Sequence, residues 1–394
     1  MNDQTKKPNP WLMLVIIYIA AFSAPLNMFK VAALAPALIP YYNIDPSGIG
    51  LLMSAYTMTG VFMALPAGGI ARKLGYKQTS LIALLISLVG AVLGCFAPDI
   101  NILFASRILE GMGLCMMGVT GVSIVTGYFP VEKRGRAMGI FTSYMALASC
   151  VGVPLLGALG DMLGFKNVWY ICAAFTLVAT VLVVLFLKNP ELPEEERNAP
   201  KLNMFKIIAQ HKQLWILCAI FAIHNFVVVG VVNNFATTYL VEKFGLSMTM
   251  ASLFGSVTAM CAVLSMLVAG TLSDKLKTRK LFIILGLVIG LFAVAFYYWT
   301  DNFVFIVILS ICAGVEGGCI PAMSQTTGPE IVGKVEHAPV AQAFLSFGQN
   351  VGQFLGSGLF GIAAATLGWT IAGWAILVPL FIVALGLGFI LKIK

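Results

Sequence analysis

Four charged side chains lie inside long apolar stretches of this 394-residue chain: Lys30, Arg107, Glu110 and Glu316. A lone charge in lipid costs about 3 kcal/mol or more, so such residues are functional candidates by default. An ammonium at Lys30 wants an anion. It either binds an anionic solute, pairs with Glu110 or Glu316, or snorkels to an interface. Asn27 lies one turn away on the same helical face. Arg107 and Glu110 are three residues apart and can pair directly. On one reading they neutralise each other and orient their helix. On the other, Glu110 carries protons, because carboxyls in low dielectric exchange protons near neutral pH while a nearby Arg opposes this. Glu316 has Ala313 where Glu110 has Arg107. It is therefore the stronger proton-coupling candidate, the alternative being a structural partner of Lys30.

Neutral polar residues in the same stretches could complete a site. His224 is either a satisfied packing histidine or a handler of substrate or protons. It has no second histidine nearby and no HExxH pattern, so neither a metal nor another cofactor is expected. Asn233 and Asn234 fall near the depth of Lys30, Asn234 standing 204 residues after it. Gln349 and Gln353 share a helix face and can either bind a polar ligand or tie helices together. Tyr56 is read as a cavity or core residue. Trp11, Trp169, Trp215, Trp299 and Trp369 sit at the ends of apolar runs and are expected to anchor at the interfaces. No nucleophile triad, Walker loop or metal cluster is evident, so neither an enzyme nor a nucleotide-driven pump is expected.

The elements that must position these groups are bilayer-spanning helices. The chain is 60% hydrophobic and 10% charged, with a mean hydropathy of +0.96, whereas soluble domains carry about 25% charged residues. A span needs about 20 apolar residues. Twelve runs qualify: 11–39, 47–70, 78–97, 101–127, 137–160, 168–187, 214–241, 247–272, 281–299, 303–324, 338–364 and 369–391. The net charge of +8 is distributed by side rather than by patch. With the N-terminus inside, all Lys and Arg but Lys30, Arg107, Lys166 and Lys243 fall on one face. This predicts an inner-membrane protein with both termini cytoplasmic, in contact with anionic lipid and not nucleic acid.

Residues 188–213 are rich in Pro and charge and read as a cytoplasmic linker. It divides the chain into six-span domains, 1–187 and 214–394. The halves match at offsets of 202 to 206: Glu110-Gly111 with Glu316-Gly317, Leu163-Gly164 with Leu367-Gly368, and the loop at Gly68 with that at Gly270. Two such repeats predict a transporter rocking about a midplane site.

At this point the chain resembles the major facilitator superfamily along essentially its whole length. The loop Gly270-x-Leu272-Ser273-Asp274-Lys275-x4-Lys280 is similar to the family's G-x-L-a-D-R-x-G-R-K signature. Its first copy keeps Gly68, Lys73 and Lys77 but has Arg72 in place of the usual Asp. Arg107-x-x-Glu110-Gly111-x-Gly113 is similar to the family's R-x-x-x-G segment. Gly152-Val-Pro154-Leu-Leu-Gly157-Ala158 breaks the G-P-x-x-G-G element of drug–proton antiporters. Asn27-Met-Phe-Lys30-Val31, with Leu51–Tyr56 and Ala64–Gly68, resembles the cyanate and nitrate–nitrite permease-like branch. The resemblance implies an all-α membrane protein, twelve helices in two pseudo-symmetric six-helix bundles, working as a monomer. It implies gating by the loops at Gly68, Lys73, Lys77 and at Gly270, Asp274, Lys275. The function expected is proton-coupled uptake of a small organic or inorganic anion. Lys30, Asn27, Tyr56, Arg107, His224, Asn233, Asn234, Gln349 and Gln353 would bind it, with Glu316 and Glu110 carrying protons. The four buried charges sum to zero, and protonating one carboxyl leaves +1, which suits a monoanion. The alternatives are a proton-coupled efflux antiporter for drugs or metabolites, against which Lys30 argues, and a transporter-like membrane sensor.

Overall fold

The computed structural model describes residues 8–190, 204–334 and 337–393, which are helical, with no strand among the described residues. The first six long helices are α1 (Pro10–Tyr42), α2 (Pro46–Leu74), α3 (Tyr76–Cys95), α4 (Ile100–Tyr128), α5 and α6 (Phe165–Phe186). Helix α5 runs Val131–Leu147, through a π turn at Ala148–Gly152, into Val153–Leu163. Next comes α7, which joins Lys212–His224, a π segment at Asn225–Val232 and Asn233–Phe244. It is followed by α8 (Met248–Leu276), α9 (Lys280–Tyr297), α10 (Phe303–Val332) and α11 (Ala338–Leu367). The last, α12, joins Trp369–Ala372, Gly373–Leu377 and Val378–Ile390. Ten of these are long and apolar enough to cross a membrane. Helices α2 and α11, at 29 and 30 residues, match them in length. Each of the twelve apolar runs falls on one of the twelve helices. The region expected to be linker differs in one respect: it contains a short helix, Met204–Gln210. Residues 191–203 of it lie outside the described residues.

Local chemistry sets the ends. The Asp45 carboxylate accepts from the Ser47 and Gly48 amides at 2.9 and 3.2 Å, and Asp99 accepts from Asn101 and Ile102 at 2.8 and 3.1 Å. Each satisfies amides that the first helical turn leaves open. Gly164 and Gly368 take φ of 81° and 78° in the one-residue breaks before α6 and α12, a conformation that glycine adopts without steric cost. The recurrence of that turn at the same offset is the sequence repeat expressed as backbone.

The repeat extends to packing. Helix α4 lies against α1, α2 and α3, and α10 against α7, α8 and α9; α1 and α3 meet α6 as α7 and α9 meet α12. The two sets join where α2 meets α11, α5 meets α8 and α1 meets α7. These junctions are closest at the end away from the termini. Ser54 Oγ donates to the Phe354 carbonyl at 2.7 Å, and Asp161 accepts from the Thr249 amide and hydroxyl at 2.7 and 2.6 Å. Cβ atoms added at Gly50 and Gly157 would stand 2.2 Å from the Ser357 carbonyl and 2.4 Å from Ser252 Oγ.

Candidate functional site

Four of the residues flagged as binding candidates and one proton candidate meet in the first half. Lys30 Nζ donates to Glu110 Oε1 at 2.5 Å and to Asn27 Oδ1 at 2.8 Å. Arg107 Nη1 pairs with the other Glu110 oxygen and donates to the Asn27 carbonyl at 2.8 Å. The Arg107 guanidinium lies 4.4 Å from the centre of the Tyr56 ring, and the Tyr56 hydroxyl donates to the Ala24 carbonyl at 2.7 Å. Asn27 Nδ2 is held by the Ser23 carbonyl and by Thr176 Oγ1, both at 3.0 Å. Lys30, Arg107 and Glu110 are each 0% exposed. Two cations on one carboxylate leave this cluster with a formal charge of +1.

Helix α4 reaches this position because Gly111 has no side chain: a Cβ there would stand 2.1 Å from the Tyr56 carbonyl oxygen. The close approach brings the Arg107–Glu110 face over α2 and against α1. Helix α6 completes the enclosure with Trp169, whose ring centre is 4.3 Å from Lys30 Nζ. Trp169 is 2% exposed. The expected interface anchor is a core residue, because the polar Lys30 head gives its ring an inward partner. Thr176 and Trp169 are the site residues that the sequence reading missed. Their spacing along α6 puts both on its buried face, a signal visible only once the neighbouring helix is known.

In the second half, His224 Nδ1 lies 2.7 Å from Glu316 Oε1, and both side chains are buried. The second Glu316 oxygen has no hydrogen-bond partner among the described residues. A Cβ at Gly290 would stand 2.7 Å from Glu316 Cγ, so α9 is built to admit this carboxyl. His224 ends the first segment of α7 and borders its π segment, whose first residue, Asn225, accepts from Gln353 Nε2 at 3.1 Å. Wide turns of this kind recur at functional positions. Asn234 Nδ2 donates to Ser357 Oγ at 2.8 Å. Asn233 and Gln349 remain partly exposed, outside both clusters. The four buried charges thus form two separate centres, one in each half, and not one shared set. Glu316 takes its partner from His224 on α7, while Lys30 is consumed by Glu110.

The two repeat loops are tied differently. Lys77 Nζ donates to the Val184 carbonyl at 3.0 Å, and Asn189 bridges the Lys77 amide and Gln78. Lys73 is exposed, as are Asp274 and Lys275; Gly68 and Gly270 lie within α2 and α8. Arg279, absent from the candidates, holds Asp274 at 2.6 Å and Glu330 at 3.2 Å. Burial works against its charge, but these two carboxylates keep its guanidinium above the usual range.

The sequence profile of the Major Facilitator Superfamily matches residues 17–334 and 225–393. The chain is 24% identical over 188 residues to the riboflavin transporter RibZ of Clostridioides difficile. That alignment takes in 48% of this chain and 41% of RibZ, so the chain spans about two-fifths of that relative's length. It is 23% identical to the probable galactarate/D-glucarate transporter GarP of Escherichia coli strain K12, over 84% of each chain. Among solved structures, a bacterial homologue of the human lysosomal transporter Spinster, inward-facing and unoccupied, superposes with a TM-score of 0.87. It shares 17% identity over 98% of this chain and 97% of the other.

Proposed function

This chain belongs to the Major Facilitator Superfamily, and from that membership we propose a secondary transporter that takes up a small organic or inorganic anion together with protons by alternating access. The observation that carries this reading is the +1 cluster: Lys30 and Arg107 converge on Glu110 with every group fully buried. An arriving anion competes with Glu110 for the two cations. Protonating Glu110 frees both, so the anion and a proton enter the same centre in one balanced step. A cationic drug would instead meet like charges in low dielectric. The likeness to GarP, described as a probable galactarate/D-glucarate transporter, supports an anionic class, since both named compounds are carboxylates.

In this reading Glu316, paired with His224, is the second proton station. The loops at Gly68, Lys73 and Lys77 and at Gly270, Asp274 and Lys275 act in gating. The halves 1–187 and 214–394 are the rocking bodies, with 188–213 between them. Their tight contact away from the termini corresponds to access from the terminal side. The excess of Lys and Arg on that side supports an inner membrane with both termini cytoplasmic. We take the working unit to be one chain. The test is uptake of a carboxylate and small-anion panel into proteoliposomes, with and without a pH gradient. The parent accumulates a monoanion when the gradient is imposed and Lys30→Ala does not. Uptake indifferent to Lys30, or drug extrusion without anion uptake, refutes the reading.

A further inference from the structure

A cavity of about 250 Å³ lies within the first half, at the end away from the termini, between α1, α3, α4 and α6. Its wall includes Tyr42, Gly94, Cys95, Lys166 and Trp169. At about 30 Å³ each, several waters fit. The Trp169 ring that forms part of this wall is the ring that holds the Lys30 ammonium at 4.3 Å. One side chain therefore touches both the cavity and the buried ions. Two polar atoms at that partition have no hydrogen-bond partner among the described residues: Trp169 Nε1 and Ser106 Oγ. Trp169 Nε1 and Ser106 Oγ lie 2.4 and 2.7 Å from the point where a Cβ on Gly94, itself in the cavity wall, would stand. Buried polar atoms are ordinarily hydrogen-bonded, and where no protein group serves, ordered water does.

We propose that this cavity is a water-filled antechamber through which the Lys30–Glu110 pair is reached from the face opposite the termini, inside one half of the molecule, with the Trp169 indole as the barrier. The halves are pressed together on that face, so the route bypasses their junction. The titratable and charged groups facing Lys30 are Glu110 and Arg107 from α4 and Cys172 from α6. Lys166 stands at the cavity itself. Below Trp169, Cys172 and Thr176 continue the same face of α6 down to the Thr176–Asn27 hydrogen bond. The indole keeps water off this line, and its displacement connects the cavity to Glu110. The purpose assigned to the route, proton entry, rests on the proton-coupled reading above; the route itself does not.

Two native cysteines report on it. Cys95 lines the cavity and Cys172 lies beyond the indole. A chain retaining only these two of its eight cysteines is treated with a membrane-impermeant methanethiosulfonate from the face opposite the termini. In the parent, Cys95 reacts and Cys172 is silent. In Trp169→Ala, Cys172 reacts faster by roughly tenfold or more, because thiol modification follows exposure. Trp169→Phe, which keeps a ring, leaves it silent. A Cys95 that does not react from that face overturns the proposal, whatever the fate of the alanine variant. So does a Cys172 that reacts no faster in Trp169→Ala or reacts only from the terminal face. The labelling needs no substrate: a failed contrast with anion uptake intact overturns the antechamber alone, and a clear contrast without uptake overturns the proposed function alone.

Discussion

Removing Glu110 should injure this protein far more than removing Lys30, although the two form one ion pair. At 2.5 Å and an effective dielectric of about 20, the pair attracts by about 7 kcal/mol. Much of that is offset by taking both groups out of water. Glu110→Gln leaves Lys30 and Arg107 facing a neutral amide, so a fully buried cluster goes from +1 to +2. Breaking a buried pair from one side costs about 3–5 kcal/mol. Lys30→Met leaves Arg107–Glu110 neutral. It forfeits the hydrogen bond to Asn27 and the contact with Trp169, worth about 2 kcal/mol together, but it also removes the burial cost of an ammonium. The net change should be within about 2 kcal/mol of zero. The double variant leaves Arg107 as the lone charge and should recover about 2 kcal/mol of the Glu110→Gln loss, a coupling typical of contacting residues. Equilibrium unfolding in mixed detergent micelles, followed by circular dichroism, reads all four proteins. If Lys30→Met is as destabilising as Glu110→Gln, or the coupling is below about 0.5 kcal/mol, the charge accounting on which the proposed anion site depends is wrong.

Other perturbations reach other parts of the argument. Glu316→Gln should reduce accumulation driven by a pH gradient while leaving substrate counterflow, because its pairing with His224 is separate from the Lys30–Glu110 cluster; gradient-driven accumulation equal to the parent's would remove it from proton coupling. Gly111→Ala places a Cβ 2.1 Å from the Tyr56 carbonyl and should cost about 1–3 kcal/mol by overpacking. Gly118→Ala on the same helix, with open space around it, should be silent, and equal midpoints of thermal unfolding would refute the packing account. Asp161→Ala removes both bonds to Thr249 that join α5 to α8. At about 1 kcal/mol for an exposed contact, it should shift the population open on that face by roughly fivefold. Spin labels at the exposed Leu51 and Leu359 would show this as a longer-distance fraction, and an unchanged distribution would exclude these bonds as a closure device.

Helix number, membrane character and the internal repeat were legible in one dimension because their physical causes are local. A bilayer demands runs of about 20 apolar residues whatever surrounds them, and duplication leaves the same letters at a constant offset, as at Gly164 and Gly368. The four buried charges stood out for the same reason: lipid penalises a charge wherever the chain goes. Their partners were a different matter. Lys30 and Glu110 are 80 residues apart, and His224 and Glu316 are 92 apart. Both carboxyls were open to Lys30 from sequence alone, and the choice was made by which helices pack together: α1 on α4, and α7 on α10. Trp169 carries the same lesson. Its place at the end of an apolar run matches an interface anchor, but the rotation of α6 against α1 turned it inward over an ammonium. Composition and spacing determined that charges would be buried here; only the meeting of distant helix faces decided which charge neutralises which, because electrostatic pairing depends on distances that the chain order does not encode.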